Sequence, residues 1–191
     1  MSGHWRGALG LRGVEPRLET ARLVLRPYGV ADAGGMASYL ADYEVSRWLA
    51  LVPHPYLPRH AAEFLARKLG PEPDPAHFGL AIEIGGRFAG GLSLSGTGWS
   101  RMLGYWIGRP YWGQGYMTEA VAALLDHAFG PMSLDRIGSG VFVGNAASLA
   151  IQKRFGFEIL GESQVFSVAR NETITHIDTL LTRQRYRETS S

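Results

Sequence analysis

The chain has 191 residues, a hydrophobic fraction of 46% and a mean hydropathy of −0.05, which suits one soluble globular domain with a sizeable core. It contains no cysteine, so disulfides, cysteine-ligated zinc and a thiol nucleophile are excluded, and no acyl group can pass through an acetyl-cysteine. Lys+Arg of 19 against Asp+Glu of 17 leaves a net charge of +2, too slight to argue for a nucleic-acid surface.

Residues 1–13 carry Arg6 and Arg12 but no apolar stretch of ~7–15 residues, so they do not read as a signal peptide. No run approaches the ~20 apolar residues of a membrane span, and no membrane partner is expected. The cytoplasm is the default location. Residues 1–17 read as a disordered extension, 18–182 as the single domain and 183–191 as a polar tail.

Residues 22–26 alternate polar and apolar and read as a strand that Pro27 ends. Residues 32–40 read as a helix, weakened by Gly34 and Gly35, and residues 44–49 as one further helical turn. Residues 52–55 are a proline-rich loop. Residues 58–69 read as a helix with Phe64 and Leu65 inward, stopped by a Gly/Pro-rich loop at 70–75. Residues 78–84 are a strand, Gly85-Gly86 a tight hairpin, and 87–95 the returning strand. A turn at 96–98 leads to a third strand, 102–107, which completes an antiparallel meander. Residues 118–129 read as a helix burying Val121, Leu124, Leu125 and Ala128. A strand at 134–143, a helix at 146–155 and a hairpin of 157–168 with 173–181 follow. The result is an α+β fold, a mixed sheet with helices on both faces.

The most informative stretch is Trp112-Gly113-Gln114-Gly115-Tyr116-Met117-Thr118, between the strand at 102–107 and the helix after it. Glycines there let a ligand approach the backbone. Free amides of the helix's first turn, with the helix dipole, favour a phosphate or diphosphate. A Walker loop needs Lys and then Ser/Thr after its last Gly; here Tyr116 and Met117 follow Gly115. A dinucleotide fingerprint needs a third Gly where Thr118 stands, and its acidic residue ends a strand, whereas Asp135 precedes one.

The loop resembles motif A of the GNAT N-acetyltransferase superfamily, Gln/Arg-x-x-Gly-x-Gly/Ala. Trp112 and Met117 depart from that pattern, and both departures resemble the RimJ/RimL branch, which acetylates N-terminal α-amines of ribosomal proteins. Asn145-Ala146-Ala147-Ser148 and Arg154-Phe155-Gly156-Phe157 resemble motif B, with Asn145 also a good N-cap and Gly156 a good helix stop. Pro53-His54-Pro55-Tyr56 and the opening strand from Leu18 to Pro27 resemble the same branch, so the likeness spans about 18–181. It implies a sheet whose fourth and fifth strands splay apart around acetyl-CoA, the cosubstrate. The acceptor would be a peptide N-terminal amine or a small-molecule amine, attacking directly in a ternary complex. A homodimer stays open. No metal is implied.

The resemblance assigns cofactor binding to the backbone of Trp112, Gly113, Gln114, Gly115, Tyr116, Met117 and Thr118, and to Asn145, which would hold the pantetheine arm. The oxyanion donor would be a backbone N–H near Ile107. Many members protonate the leaving thiolate with a Tyr two residues before the position of Arg154, but this chain has Gln152 there. Ser148 is then the remaining candidate general acid, on the face of Asn145. The general base is unassigned among Glu83, Glu119, His54, His77 and His176. Tyr105, Trp106 and Tyr111 suit a pocket wall or the core. Two rival readings stand beside the enzyme: a non-catalytic CoA-binding module, motivated by Gln152, and a nucleotide-binding protein using the same loop.

Overall fold

A computed structural model describes residues 16–71, 74, 76–97 and 101–189. The segment read as a disordered extension lies outside the described residues up to position 15. The opening strand is split into β1 (Leu18–Glu19) and β2 (Val24–Arg26). A short 3-10 turn, Val30–Asp32, precedes α1 (Ala33–Leu40). Asp32, expected inside the helix, is buried instead in an ion pair with Arg26 at 2.8 Å, and its other oxygen accepts from the Gly29 amide. Next come α2 (Tyr43–Ser46) and α3 (Pro58–Leu69).

The meander is β3 (His77–Ile84), β4 (Arg87–Ser95) and β5 (Met102–Ile107). Helix α4 (Tyr116–Phe129) starts two residues earlier than the apolar spacing suggested, because Gly115 itself is its N-cap. Then follow β6 (Arg136–Phe142), α5 (Ala146–Arg154), β7 (Glu158–Ser167) and β8 (Glu172–Thr182). The stretch read as a polar tail forms α6 (Arg183–Thr189). One apolar side chain docks it: Tyr186 is buried against Phe129 and Phe155, and its hydroxyl meets Asp126 at 2.9 Å.

The strands form one sheet in the order β1-β2-β3-β4-β5-β6-β8-β7. Every neighbouring pair is antiparallel except β5 and β6, which the α4 crossover makes parallel. One core lies between the sheet and α4, where Val121, Leu124 and Leu125 meet Leu80, Leu92, Leu94, Ile137 and Leu181. The other lies on the opposite face, where Met36, Leu40, Val45, Ala61 and Leu65 of α1–α3 meet Ala81 and Phe88.

β5 and β6 touch at one bridge, Met102 with Gly138, and then part. β6 meanwhile keeps its full register with β8, from Arg136–Thr182 to Phe142–His176. A buried polar bracket sits at the root of the split. Ser139 Oγ donates to the Leu103 carbonyl at 2.9 Å; Gln152 Nε2 donates to Ser139 Oγ at 2.9 Å; Thr179 Oγ1 donates to Gln152 Oε1 at 2.7 Å. Gln152 is 1% exposed and ties α5 to β5, β6 and β8 together. Gln152→Ala removes the acceptor of a buried hydroxyl and leaves a cavity, so it should lower the unfolding free energy in urea by at least about 1–3 kcal/mol; an unchanged midpoint would contradict the bracket.

Candidate active site

The loop after β5 is built around two glycines in the left-handed region, Gly113 at φ 71° and Gly115 at φ 78°, where a side chain is strained. These turn the chain into α4. The first intrahelical bond runs from the Glu119 amide to the Gly115 carbonyl at 3.1 Å. The amides of Tyr116, Met117 and Thr118 therefore have no acceptor within the helix. Met117 points its side chain into the core, leaving its backbone at the loop. Gln114 folds back, its Nε2 donating to the Pro110 carbonyl at 2.8 Å.

Trp112 differs from its neighbours. Its amide donates to the Arg109 carbonyl at 3.1 Å and its indole Nε1 to the Ile107 carbonyl at 2.9 Å. Both donors are spent within the protein, so Trp112 shapes the loop and holds the end of β5.

Two cations near this cradle were not legible in its motif. Arg22, from the turn before β2, donates through Nη1 to the Gln114 carbonyl at 2.9 Å and through Nε to Glu119 at 2.7 Å. Its guanidinium lies 4.6 Å from the centroid of the Tyr116 ring. Arg22 and Arg154 line one pocket with Gly115, Thr118, Glu119, Ala122 and Phe155. Glu119 is thereby accounted for. Its carboxylate takes Thr20 Oγ1 at 2.6 Å and the Arg22 amide at 3.0 Å. Burial pushes its pKa up, but these hydrogen bonds and the Arg22 charge outweigh burial and hold it below the ordinary value. Glu83 is also committed, to Arg26 at 2.7 Å. Neither carboxylate is a free base.

The opening between β5 and β6 begins beyond the bracket. The Gly108 amide donates to the Ala89 carbonyl at 2.8 Å, and Gly90 stands opposite Ile107. Alternation along an antiparallel ladder then turns the Ile107 and Tyr105 amides away from β4, toward β6. The β5–β6 ladder offers them no pairing there. Ile107 lies five residues past the bridge, about 16 Å along the strand.

Asn145 caps α5, its side-chain oxygen accepting from the Ser148 amide at 3.1 Å. The Ser148 hydroxyl meets the Tyr105 hydroxyl at 2.9 Å, and the phenol also donates to the Ser148 carbonyl at 3.2 Å. Burial raises the Tyr105 pKa, while hydrogen bonds from Ser148 and Gln152 pull it down less strongly. The phenol stays protonated through the neutral range. The sequence offers Tyr105 for a pocket wall or the core and does not set it beside Ser148; the two are 43 residues apart, and no local motif couples them.

The remaining histidines are scattered. His54 lies against Tyr43 with the rings tilted by 60° and their centroids 5.0 Å apart, and His77 meets the edge of Phe64 at 6.4 Å. His176 stands on β8 with Asp178 at 2.8 Å from its Nδ1. Among the described residues no group of three or more His, Cys, Asp or Glu is placed to hold a metal, and no helix is long and apolar enough to cross a membrane.

Comparison with known proteins agrees with this arrangement. Residues 22–158 match the model of the acetyltransferase (GNAT) domain. The chain is 26% identical over 161 residues to the uncharacterized N-acetyltransferase p20 of Bacillus licheniformis, covering 82% of this chain and 90% of that protein. Its fold is similar to that of Mycobacterium smegmatis RimJ, solved in complex with CoA-disulfide, with a TM-score of 0.75, 22% identity and coverage of 89% and 88%. It is equally similar to a ribosomal-protein-S5-alanine acetyltransferase from Vibrio fischeri, with a TM-score of 0.75, 20% identity and coverage of 90% and 98%. A split parallel pair beside a glycine-turned helix, together with a family match over most of its length, places the chain in the GNAT family of N-acetyltransferases.

Proposed function

We propose that the protein moves an acetyl group from acetyl-CoA directly to a primary amine in a ternary complex. The observation that carries this reading is the opening of β5 from β6 beside the N-terminus of α4. The residues present fit the cosubstrate. Three helix-start amides and the dipole suit a diphosphate, glycines keep the loop free of side chains, and Arg22 and Arg154 add positive charge. The amides from Gly113 to Thr118 would bind the diphosphate. Trp112 would brace the loop, and Asn145 would serve the arm entering the split. Acetyl-CoA supplies the activated thioester. With no cysteine in the chain, no acetyl-cysteine route exists.

The protein's own groups then divide the work. The Ile107 amide, whose residue's own carbonyl is held by the Trp112 indole on the same edge, is aimed at the gap where an oxyanion develops. One such donor contributes ~3 kcal/mol. The Ser148 hydroxyl hands a proton to the leaving thiolate, the Tyr105 phenol behind it restores that proton, and the phenolate recovers its own, by way of solvent, from the nitrogen of the collapsing intermediate. Residues 18–182 form the catalytic domain in this reading, closed at its end by α6. The acceptor is a protein N-terminal α-amine or a small amine; similarity to RimJ and to the S5-alanine enzyme supports the first, and a cytoplasmic location is proposed with it.

Thiol release can be followed with a thiol-reactive dye, since the protein adds no background. N-terminal peptides, polyamines and aminoglycosides should be offered as acceptors. Amine-dependent release is expected with at least one class; acetyl-CoA binding without any release would leave a binding module. Gly115→Trp should raise the calorimetric Kd for acetyl-CoA at least tenfold while the thermal melt stays cooperative. An unchanged Kd would remove the loop from the site.

Ser148→Ala and Tyr105→Phe should each lower kcat by ~10–10²-fold, within the range of general acid catalysis, with acetyl-CoA affinity retained. The phenol acts in its protonated form, and burial lifts its pKa above the ordinary value near 10. Its titration therefore removes no activity between pH 7 and about 10. A kcat that falls through this range in the wild type but not in Tyr105→Phe would contradict the assignment.

A further inference from the structure

We infer that His176, oriented by Asp178, is the base that takes the proton of the acceptor amine; this rests on the acetyltransferase reading above. The inference begins with the two faces of the split. Tyr105 and Ser148 lie on the face covered by α4 and α5. Met102, Gly104 and Trp106 of β5 alternate onto the opposite face, which α1–α3 share. Trp106 packs there with Phe88 at 5.8 Å. Through the Met102–Gly138 bridge, Gly138, Gly140 and Phe142 of β6 belong to that same face.

At the level where the strands part, both lips are therefore glycine, Gly104 on β5 and Gly140 on β6. At that level neither strand carries a side chain over the split on this face; Trp106 and Phe142 stand one step further along it. The imidazole of His176 occupies the vacant space above Gly140. A Cβ on Gly140 would overlap His176 Cε1 and would stand 2.8 Å from both ring nitrogens. The ring has thus leaned from β8 over Gly140 of β6, and Nε2 is the ring nitrogen that Asp178 does not engage.

Asp178 fixes which nitrogen can act. A carboxylate only accepts, so the 2.8 Å contact puts the proton on Nδ1 and leaves the lone pair on Nε2. Ser163 Oγ of β7 donates to the same Asp178 oxygen at 3.1 Å and holds the carboxylate in place. Phe142 meets the ring edge-on at 5.6 Å. The groups around the imidazole are therefore Asp178 on its own strand, Ser163 from β7 and Phe142 from β6. Beyond Phe142 lies the Arg170 guanidinium, 5.7 Å from that ring's centroid.

The proton step balances within these groups. An N–H bond of the acceptor ammonium breaks, its electron pair stays on nitrogen, and the proton passes to Nε2. The imidazolium then returns the proton to solvent. An N-terminal α-amine, with a pKa near 8, is largely protonated at and below neutrality, where this step is needed most. A proton acceptor on one face and a proton donor on the other bracket the gap from opposite sides.

The test combines kinetics with a readout that needs no turnover. His176→Gln should lower kcat by ~10²-fold at pH 7, with acetyl-CoA Kd unchanged, and imidazole in the buffer should partly rescue His176→Ala. In the wild type without ligand, long-range ¹H–¹⁵N spectra of the imidazole should report the Nδ1–H tautomer, and Asp178→Asn should shift the ring toward the other. A His176→Gln enzyme within about threefold of wild type, absent rescue, or an Nε2–H tautomer in the wild type would each overturn the assignment. A wild type that acetylates no amine would instead remove the acetyltransferase reading, and this inference with it.

Discussion

The site depends on one constraint: β6 must stay with β8 while leaving β5. A parallel pair joined by a helical crossover would ordinarily zip along its length, because unpaired backbone groups inside a protein are costly. Here the exposed edge of β5 finds other partners. The Leu103 carbonyl takes the Ser139 hydroxyl and the Ile107 carbonyl takes the Trp112 indole. Gln152 locks the root of the split through Ser139 and Thr179. With the carbonyls met in this way, the Ile107 amide remains aimed into the gap. A strained-looking feature of the sheet is thus a balanced one, and its leftover donor lies where the proposed reaction would use it.

The two faces of the sheet then acquire different work. The α4 face carries the glycine turn, the free helix amides and the Arg22–Glu119 clamp, all suited to an anionic ligand. The α1–α3 face opens onto the glycine floor of the split beside Trp106 and His176. In the proposed reaction, ligands entering from opposite faces would meet at the β5 edge, and neither would have to leave for the other to bind. Direct transfer needs this geometry, since alignment of two bound reactants can supply ~7–11 kcal/mol of the barrier.

Much of this was readable in the sequence because it is local. The α+β order, the meander, the cap at Asn145 and the glycine turn each depend on residues within a few positions of one another. What stayed hidden joins distant segments. Arg22 reaches the loop from 92 residues away, and Tyr105 reaches Ser148 across 43. Asp32 looked like the first residue of a helix until Arg26 drew its buried carboxylate into an ion pair. Residues 183–189 looked like a tail because their docking rests on one apolar side chain, Tyr186, too sparse to register as a periodic pattern. Glu119 was legible as a first-turn acid, but its real task, holding Arg22 against the loop, was not.

The departure at Gln152 bears directly on the proposed proton donor. A tyrosine at that point of the helix would place a phenol in the split, and its replacement by glutamine read as the loss of a proton donor. Ser148 and Gln152 are four residues apart, on one face of α5. Tyr105 approaches that face from β5 and sets its hydroxyl against Ser148, one turn nearer the helix start. A phenol borne on the strand leaves the helix position free for a purely structural side chain. Glutamine suits that second task, since its amide donates to Ser139 and accepts from Thr179 at once, which a phenol could not do with the same reach. The proposed mechanism requires a hydroxyl in a place, and here the strand brings one against the helix.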